Sequence, residues 1–217
     1  MNAIRLALVA VLLSACGSGP RVPDWQINAA SATERASSAY MEGKSAIADR
    51  EFALARNQVG STALPEHAIR VELLRCAVQV ASLVFEDCAG FNALAQDASA
   101  ADHAYARYLA GSATPADAAL LPEAQRPVAA AASDPAAAAA ATAIKDPLSR
   151  MVAAGALLRS NRATPEVITA AIDTAASQGW RRAVLAWLNV QLKRAEQAGD
   201  EAEADRLRRR IKLASTP

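Results

Sequence analysis

No run of five or more residues in this chain alternates apolar and polar side chains with β-branched content, which leaves no candidate strand. Helix is what remains, and the pattern supports it. Ile69, Leu73, Cys76, Val80 and Leu83 recur at spacings of three and four, the period of one helix face, and predict a helix over 66–84. Residues 25–58 are helix formers in two segments, one with Ile27, Ala30, Ala36 and Tyr40, the other with Ile47, Phe52, Ala55 and Val59. Gly43 breaks between them and Gly60 ends the second. Thr114-Pro115-Ala116-Asp117 and Thr164-Pro165-Glu166 read as helix starts, with threonine as cap and proline in the first turn. Helices are also expected over 98–109, 148–159, to about residue 178 after Thr164, and over 180–198 and 200–213 around Gly199-Asp200.

The stretch 122–147 differs. It is dominated by alanine and cut by Pro127 and Pro135. Alanine is the best helix former but buries little area per residue, so two short helices or one kinked helix are expected. A sub-boundary within the domain, if there is one, falls here. In total, eight to ten helices joined by short turns predict an all-α domain over 24–213, its helical hairpins packed as an α-solenoid or an irregular bundle.

Part of this pattern resembles tetratricopeptide repeats. In that family one helix carries tyrosine, and the next carries alanine, an aromatic four residues later and alanine three after that. Tyr40, Ala48, Phe52 and Ala55 match, with one residue missing from the turn. Leu188, Gly199, Asp200 and Ala204 match part of the pattern, with Arg208 where the aromatic belongs. No 34-residue period connects the two regions. The resemblance implies paired helices brought close by small residues.

The N-terminus carries a different message. Arg5 precedes the apolar run 6–13, and small residues follow it. A membrane-spanning helix needs about 20 apolar residues, so a run this short reads as the core of an export signal over 1–15. Leu13-Ser14-Ala15-Cys16 resembles the lipobox of bacterial lipoproteins at all four positions. The resemblance implies diacylglycerol on the Cys16 thiol, cleavage before Cys16 and acylation of the new amine. No other cofactor is implied. An aspartate after the cysteine commonly retains such proteins at the inner membrane; Gly17 stands there instead, implying the outer membrane with the domain facing the periplasm. Residues 16–23 then form a lipidated tether with glycine and proline punctuation.

Removing Arg5 leaves 22 basic against 22 acidic residues, a neutral mature chain that disfavours nucleic acid as a partner. Charge is nevertheless segregated: 84–147 is acidic, and 180–217 is basic, ending in Arg206, Arg208, Arg209, Arg210 and Lys212. Those arginines are either a solvated helix face or a contact with anionic headgroups or an acidic partner. With Cys16 consumed by lipid, Cys76 and Cys88 remain in a compartment that permits disulfides. On one straight helix they would stand about 18 Å apart, so a bridge requires the chain to reverse, and the break at 85–90 supplies the place. Two buried free thiols are the alternative.

No local catalytic pattern is present. His67 and His103 lack ligands at helical spacing, so no zinc motif and no metal site is expected. Nucleophile elbows and phosphate loops are missing. Asp49 with Glu51, and Glu86 with Asp87, read as solvated faces. Trp180 and Trp187 lie seven apart and are expected to share a helix face, as core or as a stacking platform. The expected function is therefore a lipid-anchored periplasmic scaffold that binds a protein partner, in membrane contact through its anchor. The alternative is an envelope enzyme acting on cell-wall glycan or peptide, with carboxylates gathered from distant helices.

Overall fold

The hairpin read at 25–60 forms as α1 (Asp24–Glu42) and α2 (Ser45–Gly60), in a computed structural model that describes residues 21–216. The export signal and the lipobox fall outside the described residues. Gly43 turns the chain at φ +93°, and Lys44 N–H donates to the Ala39 carbonyl at 2.8 Å, satisfying a carbonyl that α1 leaves open. Ala29, Ala32, Ala36 and Ala39 on α1 face Ala48, Phe52 and Ala55 on α2, all buried. Small side chains on one helix let the other come close, and Phe52 fills the space between them.

The next helix, α3 (Pro65–Ala81), is the hub of the molecule. Ile69, Leu73, Cys76 and Val80 are buried as their spacing predicts, but so are Val71, Ala77 and Val78 on other faces. A helix that is apolar all round must be enclosed, and α3 packs against α1, α2, a short α4 (Ala89–Asn92), α5 (Ala100–Leu109) and α8 (Pro147–Arg159). The predicted extent of α3, to residue 84, is too long. Trp187 donates its indole N–H to the Ala81 carbonyl at 3.0 Å, the acceptor that residue 85 would use in a continued helix. The chain leaves at Leu83, whose φ of +64° is left-handed. That reversal brings Cys76 and Cys88 to 5.7 Å between Cα atoms, with their sulfurs at disulfide distance. We predict that replacing both by serine lowers stability by about 2–3 kcal/mol. Unfolding in urea measures it, and an unchanged midpoint would show that the bridge does not form.

After α5 the backbone tightens. At the expected start Asp117 accepts from the Thr114 backbone N–H at 2.8 Å and from its hydroxyl at 2.9 Å, but the segment Pro115–Leu120 is 3-10 rather than α, because Leu121 is extended and Pro122 follows within two residues of its end. The alanine stretch resolves into a 3-10 turn (Glu123–Gln125), α6 (Arg126–Ala130) and α7 (Asp134–Ala143). Ala137, Ala138 and Ala141 are buried, and α7 packs on α8 and on α9 (Pro165–Ser177). Caps on Ser99, Ser133, Asp146 and Thr164 start α5, α7, α8 and α9. The chain ends in the hairpin of α10 (Arg181–Ala198) and α11 (Glu201–Ser215). Among the described residues there is no strand, and the eleven α-helices exceed the eight to ten expected because α4 and α6 are single turns.

The last hairpin returns to the first. α10 packs on both α9 and α1. The Arg182 guanidinium lies 4.1 Å from the centre of the Tyr40 ring and bonds the Ser45 hydroxyl. One continuous buried cluster runs from Ala29 on α1 to Leu207 on α11.

Candidate functional site: a furrow along the α1–α3 seam

Where α1 meets α3, alanines keep the seam low. Trp25, Gln26, Ala29, Ala30 and Thr33 project from α1 at helical spacing, and His67, Arg70, Val71 and Leu74 project from α3. They line a depression of about 280 Å³. Two larger depressions adjoin it. One, of about 540 Å³, shares Arg70 and Leu74 and is walled by Tyr105 and Asp102 of α5 and by Leu120, Leu121 and Pro122. The other, of about 470 Å³, shares Ala30, Thr33 and Leu74 and is closed by Asp146, Pro147 and Leu148 at the start of α8 and by Gln178 and Trp180. Leu74 borders all three. Together they make a furrow centred on Leu74 with an apolar middle, built from α1, α3, α5, the segment 120–122, the start of α8 and the turn before α10.

Its walls are fixed by interactions that are not available for chemistry. Asp102 accepts from the Ser99 backbone at 2.9 Å as part of a capping box, and Asp146 accepts from the Ser149 backbone at 2.7 Å. Arg126 donates to the Leu121 carbonyl at 2.8 Å and pins the extended segment that forms one wall. Burial raises the Tyr105 phenol above its ordinary pKa, so the hydroxyl stays protonated and able to donate. Trp25 packs on the His67 ring at 4.9 Å between centroids.

The residues singled out in the sequence are dispersed. His67 borders the furrow, whereas His103 meets the edge of Phe91 at 5.7 Å between centroids. Asp49 binds Arg75 at 2.6 Å and Glu51 binds Arg35 at 2.8 Å, while Glu86 and Asp87 are exposed in the loop after α3. Trp180 and Trp187 do not share a helix face. Gly179, at φ +68°, turns the chain and α10 begins only at Arg181, so Trp180 precedes the helix and reaches the furrow while Trp187 is buried against α3. Cys16 lies outside the described residues. In the basic run, Arg206 is held by Glu203, and Arg208 by Glu196 and Asp205. Arg209 and Arg210 make no ion pair among the described residues.

Other arginines do structural work that sequence reading missed. Arg150 donates to the Ile144 carbonyl, Arg159 to Leu109 and Arg162 to Ala131, each at or just beyond the C-terminal end of another helix. Open helix-end carbonyls need such donors, but nothing local in the sequence marks which arginine supplies them. A buried chain links Tyr108, which donates to the Gln125 side chain at 2.8 Å, and Gln125, which donates to the Ser149 carbonyl at 3.0 Å.

Among the described residues the buried polar side chains are Ser37, Ser82, Asp117, Gln125 and Thr174. No set of three or more metal-ligating side chains is gathered among them. The Arg107 side chain, with help from the Thr114 backbone N–H, holds the Asp117 carboxyl well below the usual carboxylate range. The unfolded chain binds a proton at that group near pH 3.9, more readily than the folded one, so the ionised pair stabilises the fold above about pH 4 and loses that effect as pH falls further. We predict that the urea midpoint of Asp117→Asn lies below that of the wild type at neutral pH and that the gap narrows below about pH 4. A gap that stays constant down to strong acid would contradict this.

No protein-family model, curated protein or solved structure matches this chain.

Proposed function

We propose that this chain is a lipid-anchored helical adaptor of the bacterial cell envelope, held at the outer membrane through Cys16, and that it binds a segment of a protein partner in the furrow between α1 and α3. The furrow carries the reading. It joins three open depressions at Leu74 and is apolar at its middle, as suits a peptide segment rather than a small substrate, which is usually enclosed on most sides. No helix of the described residues is long and apolar enough to cross a membrane. The lipobox supplies the anchor, because two or more acyl chains give stable attachment. The α1–α2 hairpin, with Ala48, Phe52 and Ala55 at its seam, is the part that resembles a tetratricopeptide pair, and it forms one wall. Arg209 and Arg210 on α11 offer a second contact for an acidic part of the same partner.

Two measurements test this. Cells fed an alkyne fatty acid should label the wild-type chain and not Cys16→Ala; equal labelling would remove the anchor. A photo-reactive residue at position 74 should form a discrete protein adduct in intact cells, and one at the exposed position 54 on α2 should not. Equal adducts from both positions would argue against the furrow.

A further inference from the structure

We infer that the segment held in the furrow is cationic and amphipathic, with basic residues on both sides of an apolar centre. This rests on the furrow being a docking site for protein. The central depression has no carboxylate in its lining, and its floor is Trp25, Ala29, Ala30, Val71 and Leu74. The acids lie at the two ends: Glu66, Asp97 and Asp102 at one, Glu34 and Asp146 at the other. Against these five stand the two guanidinium groups of Arg70 and Arg126, leaving the furrow net negative.

Ten of the 22 carboxylates form ion pairs among the described residues, and none of the ten lines the furrow. Across the described residues, arginines and carboxylates pair on α1, α2, α3, α5, α10 and α11. None of the five furrow carboxylates takes part in an ion pair among the described residues, although Arg70 lines the same groove as Glu66, Asp97 and Asp102. Like charges left unpaired beside an apolar floor repel one another and gain most from an occupant of opposite sign. The matching ligand has an apolar stripe for the Trp25–Leu74 floor and lysines or arginines placed to reach both ends. Arg70, at the junction of two depressions, disfavours a basic residue in the middle of that segment.

The chain carries its own reporters. Of its three tryptophans, Trp25 and Trp180 line the furrow and Trp187 is buried. The test uses the full mature chain in zwitterionic nanodiscs, with empty nanodiscs as blank. The probes are a sixteen-residue amphipathic leucine–lysine peptide and the same peptide with glutamate for lysine. The lysine peptide should bind saturably and shift tryptophan emission to the blue, and the glutamate peptide should bind at least about tenfold more weakly. Joint substitution Glu34→Gln, Glu66→Gln and Asp97→Asn, which touches no cap, should weaken the lysine peptide by about tenfold with the melting temperature unchanged. Trp25→Phe with Trp180→Phe should remove the emission shift. Equal binding of both peptides, or full affinity in the triple variant, overturns the charge assignment while leaving the docking reading intact. If neither peptide binds but position 74 still cross-links in cells, the assignment alone fails. If neither peptide binds and no adduct forms, both fail.

Discussion

Trp187→Ala is expected to cost about 4 kcal/mol or more, at the upper end for deletion of a buried aromatic. Trp187 is fully buried between α10 and the end of α3, and it is the largest side chain so enclosed among the described residues. Truncation removes its packing and leaves a cavity that the surrounding helices fill only in part. It also strips the Ala81 carbonyl of its donor, and an unmet buried acceptor costs about 1–3 kcal/mol. For a chain of this length each kcal/mol lowers the melting temperature by roughly 2–4 °C, so a loss above about 10 °C is expected in thermal unfolding followed by circular dichroism. Trp187→Phe helps to separate the two contributions, because it keeps most of the volume while losing the N–H and part of the ring. It should recover more than half of the deficit. A Phe variant as unstable as the Ala variant would place the whole effect in the hydrogen bond.

Gly155 gives a prediction whose sign is diagnostic. It lies inside α8 where that helix crosses α3, and a Cβ there would stand 2.2 Å from the Val80 carbonyl oxygen and 2.8 Å from its carbon. Those are backbone atoms, so relief requires the helices to part. At an unobstructed helical site, Gly→Ala stabilises by about 1 kcal/mol through helix propensity. Here overpacking, typically about 1–3 kcal/mol and sometimes more, should outweigh that gain. Gly155→Ala is expected to lower the urea midpoint clearly, and Gly155→Leu to prevent accumulation of folded chain. Gly60→Ala, with nothing within 4 Å of its added methyl, is the matched control and should be neutral or mildly stabilising. If both alanine variants behave alike, the α3–α8 crossing is not as close as described.

Local signals in the sequence carried much of this architecture. Threonine before proline marked the start of α9, Gly43 and Gly199 marked the hairpins, and the spacing of Ile69, Leu73, Cys76 and Val80 marked the inner face of α3. These features depend on neighbours within a turn or two. What the sequence hid depends on partners far along the chain. α3 closes locally, with Leu83 in the left-handed region and Val84 N–H on the Gln79 carbonyl at 2.9 Å, but the Ala81 carbonyl left open there is met by Trp187, 106 residues later. Trp180 left its expected heptad because Gly179 turns the chain before α10 begins. Arg150, Arg159 and Arg162 close helix ends that lie away from them in the chain, and nothing beside them in the sequence marks them for it. The furrow was the least legible feature. Leu74 sits beside the buried stripe of α3, and only the meeting of α1, α5, α8 and the turn before α10 makes it the centre of a groove. Segregated charge was visible as an acidic middle of the chain, but Glu34 and Glu66, which belong to the same acidic rim, lie outside that stretch.

The docking role of the furrow is tested most directly by blocking it. Leu74→Arg places a cation across the junction of all three depressions, and Leu54→Arg places the same group on the exposed outer face of α2. Both side chains are partly exposed, so both variants should melt close to the wild type. In intact cells treated with a membrane-permeant cross-linker, the wild type and Leu54→Arg should give the same discrete higher-mass adduct, and Leu74→Arg should lose it. An adduct of undiminished yield from a folded Leu74→Arg chain would contradict the account.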